Sequence, residues 1–121
     1  MALLSSHIGE KRAIWLGNAH EKKNKEDFEK GRLEDNTWVD EIAIKMDLTN
    51  NEFGARIGRF CRNCSDQKLL QTVIEALEHG ELKIIKQNVK GEFLDKNNQI
   101  ILEEKWVGTW QNERELVPSN Q

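Results

Sequence analysis

The chain has 121 residues, enough for one domain with a core but too few for two independent ones. Its 18 basic and 21 acidic residues leave a net charge of -3, which excludes a generally basic nucleic-acid-binding protein and requires any anion-binding surface to be a local patch. No apolar run approaches the roughly 20 residues that span a bilayer, and the first residues do not resemble a signal peptide, so we expect a cytoplasmic protein without membrane contact.

Residues 1–36 are predicted to be a charged N-terminal segment that flanks the core or packs on it. The charged run from Glu21 to Asp27 is typical of a solvated helix face or a linker. Asn24 is suited to cap a short helix that ends near Gly31. The pattern assigns no role to this segment.

A core over residues 37–110 follows, and its first helix is predicted over 37–46. Asn36 or Thr37 opens this helix. Apolar residues then recur at a spacing of four from Trp38 to Met46, which is typical of one buried helix face.

A second helix is predicted over 50–63, because Thr49 and Glu52 have the spacing of a capping box. Gly54 and Gly58 lie four residues apart inside this helix. Each costs about 1 kcal/mol of helix propensity relative to alanine, so we interpret them as packing positions where another helix approaches closely.

A third helix is predicted over 66–79, capped by Ser65 or Asp66 and stopped by Gly80 in the C′ position. Its apolar residues cover an arc of about 160°. They are Leu69, Leu70, Val73, Ile74, Ala76 and Leu77.

Beyond Gly80 the apolar spacing becomes that of extended chain. Strands over 82–94 and 99–110 are predicted to form a long antiparallel hairpin. Its turn falls at 95–98, where asparagines tolerate positive φ. Residues 111–121 are predicted to be a disordered tail.

This order of helix, turn, helix and hairpin resembles a winged helix-turn-helix domain over residues 37–110. The segment Leu77-Glu-His-Gly-Glu-Leu82 resembles the Leu-x-x-x-Gly-x-hydrophobic exit from the recognition helix of that family. The resemblance implies an α+β fold with three to four helices followed by a long antiparallel β-hairpin. It also implies a regulatory or accessory protein that binds DNA or RNA.

The resemblance further implies that the helix over 66–79 enters a major groove and that the hairpin tip contacts phosphate. Gln71 and Thr72 would then suit base edges. Lys68 on the helix and Lys96 at the tip would suit phosphate. The ordinary alternative for the hairpin lysines is protection of an edge strand against aggregation.

An alternative register makes the helices over 37–47 and 50–63 the helix-turn-helix pair. The outward residues of the second helix are then Arg56, Arg59 and Arg62, at a spacing of three. Three arginines at this spacing are also typical of an ordinary solvated helix face.

Cys61 and Cys64 form one Cys-x-x-Cys pair at a helix end. A zinc site needs about four ligands, and the three histidines lack the paired spacing of a zinc finger. A thioredoxin-like pair would stand at a helix start, after a strand. We therefore expect two small apolar residues on a buried face, no metal and no cofactor.

Catalysis is not indicated, because the sequence shows no nucleophile–base pairing and no phosphate-binding glycine loop. The alternative to nucleic-acid binding is a protein-interaction module: an inhibitor, immunity or adaptor protein that docks through acidic and aromatic surface. Aromatic residues for such a patch are Trp15, Trp38, Trp106 and Trp110.

Overall fold

The structure is a computed structural model that describes residues 1–31 and 39–121. Its elements in chain order are α1 (Ala2–Ile8), α2 (Glu10–Glu29), α3 (Glu41–Phe60), α4 (Asp66–Glu78), β1 (Lys83–Ile85), α5 (Glu103–Trp106) and β2 (Leu116–Pro118). Helices dominate. Within the described residues the strands form one two-stranded antiparallel sheet, in which Ile84 lies opposite Val117.

The predicted α+β, winged-helix-like fold is therefore wrong, because no long hairpin forms within the described residues. β1 pairs with β2 and not with a strand over 99–110. Between them the chain makes two isolated bridges, Gln87 to Phe93 and Leu94 to Ile100. The predicted second strand is interrupted by α5, which begins directly after Leu102.

The turn at 95–98 lies where the sequence places it. The Asp95 carboxylate accepts hydrogen bonds from the backbone N–H groups of Asn97 at 2.8 Å and Gln99 at 2.9 Å. Asn98 has a φ of 61°, the left-handed conformation that asparagine tolerates. The asparagine pattern thus predicts the turn correctly, although it does not predict what flanks it.

The helices predicted over 37–46 and 50–63 are one continuous helix, α3. The predicted start at Asn36 or Thr37, with Trp38, lies outside the described residues. The capping-box interpretation of Thr49 is wrong, because Thr49 lies in the middle of α3 and not at a helix start. The neighbouring Asn50 contacts β1. Its amide donates to the carbonyl of Lys83 and accepts from the Lys83 N–H, both at 2.8 Å, and so ties the middle of α3 to β1.

The helix predicted over 66–79 is confirmed as α4. Ser65 accepts a hydrogen bond from the Lys68 N–H at 3.1 Å and so caps its start. At its end Gly80 has a φ of 77°, and the Glu81 N–H donates to the carbonyl of Ala76 at 3.0 Å. This is the Schellman arrangement expected for a glycine stop.

The N-terminal segment 1–36, where a single short helix near Asn24 was expected, contains two helices in its described part, α1 and α2. α1 packs closely on α3. A Cβ atom built on Gly58 would lie 2.2 Å from the carbonyl oxygen of Ala2, and one on Gly54 would lie 3.1 Å from the Cβ of Met1. The interpretation of these glycines as packing positions is thus confirmed.

The C-terminal residues 111–121, expected to be a disordered tail, instead close the fold. They contain β2, and the Arg114 guanidinium forms a buried ion pair with the carboxylate of Asp40. Asp40 is also the N-cap of α3, where it accepts from the Ala43 N–H at 3.2 Å, and it accepts from Asn112 at 2.9 Å. One carboxylate thus joins the start of α3 to the end of the chain.

Among the described residues, the buried apolar core consists mostly of small side chains. Its members among the described residues are Ala2, Ala13, Ala55, Cys61, Leu69, Ala76 and Ile101. The largest fully buried side chains are polar, namely Asp40 and Ser5. Many large apolar side chains therefore remain at the surface.

Candidate functional site

An open apolar groove of about 520 Å³ lies between α1, α3 and α4. Apolar residues from all three helices line it, among them Ala2, Leu3, Ile57, Leu69, Leu70 and Val73. Its floor is continuous with the core, because Ala2 and Leu69 are buried and Ile57 and Val73 pack against them. The volume falls in the range of about 300–1,000 Å³ that is typical of ligand-binding clefts.

The groove follows directly from local sequence. Gly54 and Gly58 let α1 lie against the backbone of α3, so that Leu3 reaches one rim. On the other side α4 presents an apolar arc of about 160°, which is wider than its contact with α3. Leu69 and Ala76 occupy the buried half of this arc.

The other half of the arc forms an exposed apolar ridge along α4, which we call the α4 ridge. It consists of Leu70, Ile74 and Leu77, which are 60%, 38% and 45% exposed. Leu70 belongs to both the groove and the ridge. Because an exposed apolar patch beside a groove is typical of an interaction site, this combination is the best candidate functional site of the molecule.

Few polar side chains line the groove, and one of them, Asn50, is already hydrogen-bonded within the protein. Asn50 is held by both of its bonds to Lys83. Asp66 is the charged side chain in the lining, and it lies at the first turn of α4. The described lining residues bring no nucleophile–base pair together at the groove.

The three arginines predicted to face a duplex are all exposed, but they do not form the expected row on one helix. α3 ends at Phe60, so Arg62 lies in the turn that follows it. Arg59 forms an ion pair with Glu10 of α2 at 3.2 Å, which reduces the positive charge it offers. Arg56 lies over the ring of Phe53, 5.8 Å from its centroid.

The other predicted nucleic-acid contacts are divided between two places. Lys68 and Gln71 are exposed on α4, and Thr72 is half-buried with its hydroxyl donating to the carbonyl of Lys68 at 2.9 Å. Gln71 donates to the carboxylate of Glu75 at 3.2 Å. Lys96 lies in the 95–98 turn, beside the acidic stretch that contains Glu113 and Glu115. The winged-helix geometry that would unite these residues is absent from the described part of the chain.

The cysteines occupy the core cluster beside the groove, as expected from their small apolar character, but they are joined in a disulfide. The sequence interpretation considered zinc and a thioredoxin-like pair and missed a bond at the α3–α4 turn. The described residues contain no group of three or more histidine, cysteine, aspartate or glutamate side chains that could hold a metal ion.

Arg114 lies in a cluster of polar and aromatic side chains whose contacts hold the fold together. The guanidinium lies over the rings of Phe93 and Trp106, 4.6 and 4.5 Å from their centroids. Burial lowers the pKa of Arg114 below its ordinary value, and the neighbouring Asp40 carboxylate opposes this shift. With its charge paired and its faces covered, this arginine offers nothing to a ligand.

The tryptophans do not form a common patch in the described residues. Trp15 is exposed on α2, whereas Trp106 contacts Arg114 and Trp110 packs against Phe28 with ring centroids 5.1 Å apart. Trp106 and Trp110 therefore belong mainly to internal contacts.

Comparison with protein-family models, with curated proteins and with solved structures gave no match to this chain. Over residues 1–31 and 39–121, no helix has both the length and the apolar character needed to cross a bilayer. The groove and the α4 ridge are the features of the chain that bear most directly on its function.

Proposed function

We propose that the chain is a protein-interaction module that binds an apolar helix in the groove between α1, α3 and α4. The observation that carries this proposal is the α4 ridge, whose residues Leu70, Ile74 and Leu77 stand exposed beside an apolar groove. Helix-in-groove recognition uses apolar anchors at this spacing. An adaptor or inhibitor role, in which docking itself is the activity, fits a site without catalytic groups.

The same helix argues against nucleic acid as the partner. α4 was the predicted recognition helix, yet its exposed surface combines an apolar ridge with Glu75 and Glu78. A phosphate backbone is bound mainly through basic side chains, and acidic ones repel it. Protein is the better partner for this surface.

A photo-reactive amino acid tests the proposal. Benzoyl-phenylalanine in place of Leu70 should give a discrete protein adduct on irradiation in the native host. The same amino acid in place of Glu113, which is exposed near the 95–98 turn, should give none. A folded Leu70 variant without any protein adduct would remove the proposal.

A further inference from the structure

We propose that the disulfide between Cys61 and Cys64 is a reversible redox switch for the groove. The oxidised pair holds α4 where it forms one wall of the groove, and reduction releases the first turns of that helix. The inference rests on the proposed function, because it names how binding at the same groove is regulated. It is carried by the place of the disulfide in the core, by the contacts at the two ends of α4 and by the unequal exposure of the two cysteines.

The disulfide is part of the apolar cluster from which the groove floor is built. Cys61 belongs to the buried cluster with Ala2 and Leu69, and Cys64 packs against it. Ala2 and Leu69 also line the groove. The bond itself lies in the turn between the end of α3 and the start of α4. A change at this bond therefore acts directly on the two helices that form two sides of the groove.

The two ends of α4 are held by different contacts. At the C-terminal end, the Ser119 hydroxyl donates to the carbonyl of Leu77 at 2.6 Å, and Gly80 leaves no room for a Cβ atom beside the side chain of Asn120. At the N-terminal end, the side chain of Leu69 is buried, and the disulfide fixes the turn that leads into it. Reduction therefore loosens the end of α4 that lines the groove and leaves the other end attached.

A backbone hydrogen bond remains across the turn after reduction, from the Cys64 N–H to the carbonyl of Cys61 at 3.0 Å. Unlike a covalent bond, a hydrogen bond opens locally without unfolding the molecule. The start of α4 is then free to move away from α3 for part of the time. A partner helix that binds the reduced chain must also order this segment, which weakens binding.

The two cysteines differ in their access to a reductant. Cys61 is 7% exposed, whereas Cys64 is half-buried. A dithiol therefore attacks the sulfur of Cys64: the disulfide breaks, Cys61 leaves as a thiolate that takes up a proton, and a mixed disulfide forms on Cys64. The second thiol of the reductant then attacks the reductant's own sulfur and releases Cys64. Two electrons and two protons pass from the dithiol to the pair, and an oxidised dithiol reverses the reaction.

Hydrogen exchange of the oxidised and the dithiol-reduced wild-type chain, measured by mass spectrometry, tests the switch. Amides of residues 67–73 should exchange about 10-fold faster after reduction, because the first turns of α4 open locally. Addition of the oxidised dithiol should restore the slow rate. The internal control is residues 20–29 of α2, which should keep their rates. An equal rise over 20–29 would show that reduction only destabilises the whole fold, and it would overturn the proposal.

The matched variant carries Cys61→Ala together with Cys64→Ala. Its residues 67–73 should exchange at the fast rate with and without the dithiol, because it has no bond to reduce. A slow rate in this variant would show that the disulfide does not hold α4. The comparison of the two wild-type states needs no substitution, so it decides the question even where the double variant does not fold.

The Leu70 photo-adduct connects the switch to binding. Its yield in an extract of the host should fall about 5-fold when the chain is reduced, and in the double alanine variant it should be low with and without the dithiol. Equal exchange rates in the two wild-type states, or an adduct yield that does not depend on the redox state, would overturn the proposal and leave the proposed function standing. No adduct in either state would remove the proposed function, while the exchange rates would still decide whether the disulfide holds α4.

Discussion

Gly58 is the point of closest approach between α1 and α3, where a Cβ would lie 2.2 Å from the backbone of Ala2. Glycine to alanine within a helix ordinarily gains about 1 kcal/mol. Here Gly58→Ala must displace α1, so we expect a net loss of about 1–2 kcal/mol in urea unfolding. Gly54→Ala is the graded control, since its Cβ would meet Met1 at 3.1 Å, and it should lose less. Equal stability of Gly58→Ala and wild type would contradict the close packing.

The buried pair of Asp40 and Arg114 is predicted to be far more sensitive than an exposed pair. Arg114→Met leaves the Asp40 carboxylate buried without its charged partner, so the free energy of unfolding should fall by about 3–5 kcal/mol. Arg59→Met removes the exposed partner of Glu10 and should cost less than about 1 kcal/mol. Urea titrations of the two variants make the comparison, and similar losses would show that Arg114 is not buried as described.

At the scale of elements, the disulfide between Cys61 and Cys64 fixes the turn that joins α3 to α4. It closes a very short loop, so the entropy model assigns it about 2 kcal/mol of stability. Urea unfolding with and without a phosphine reductant should differ by about this amount. A variant with Cys61→Ala and Cys64→Ala should not respond to the reductant. If wild type does not respond either, the two residues are free thiols.

The elements that the sequence predicts well are those with local causes. α4 is bounded by Ser65 and Gly80, both of which act within one helical turn. The 95–98 turn depends on Asp95 bonding its own neighbours. The apolar arc of α4, which the sequence predicts, also contains the candidate site. The arc is wider than the surface that α3 covers, so part of it stays exposed.

The elements that the sequence mispredicts depend on partners far along the chain. Thr49 and the residues after it have the pattern of a helix start, but Asn50 bonds Lys83, 33 residues away, and α3 runs through. β1 was assigned to a local hairpin, yet its partner is β2. Leu3 lies on the groove rim, but the sequence pattern around it is too weak to predict a helix at that position. No local sequence pattern indicates these long-range contacts.

At the scale of the whole molecule, we expect no binding to mixed-sequence DNA or RNA at about 50 mM salt. The chain is acidic in total, and Arg56, Arg59 and Arg62 do not form one row, because Arg62 lies beyond the end of α3 and Arg59 is paired with Glu10. Fluorescence anisotropy with labelled duplexes and single strands measures this directly. Binding that weakens steeply with salt, and is lost when the three arginines become alanine, would restore the nucleic-acid interpretation.

The ion pair between Asp40 and Arg114 also affects the order in which contacts form while the chain is being synthesised. Asp40 caps α3 locally, but two further contacts at the α3 start come from residues 110–114: the Asp40 carboxylate pairs with Arg114, and the Glu41 N–H donates to the carbonyl of Trp110 at 3.0 Å. While α1 through α4 are being translated, the partners of these two contacts do not yet exist. We therefore expect these two contacts to form only after residues 110–114 have left the ribosome, and we expect a nascent chain stalled earlier to be cleaved more readily by proteases at the α3 start.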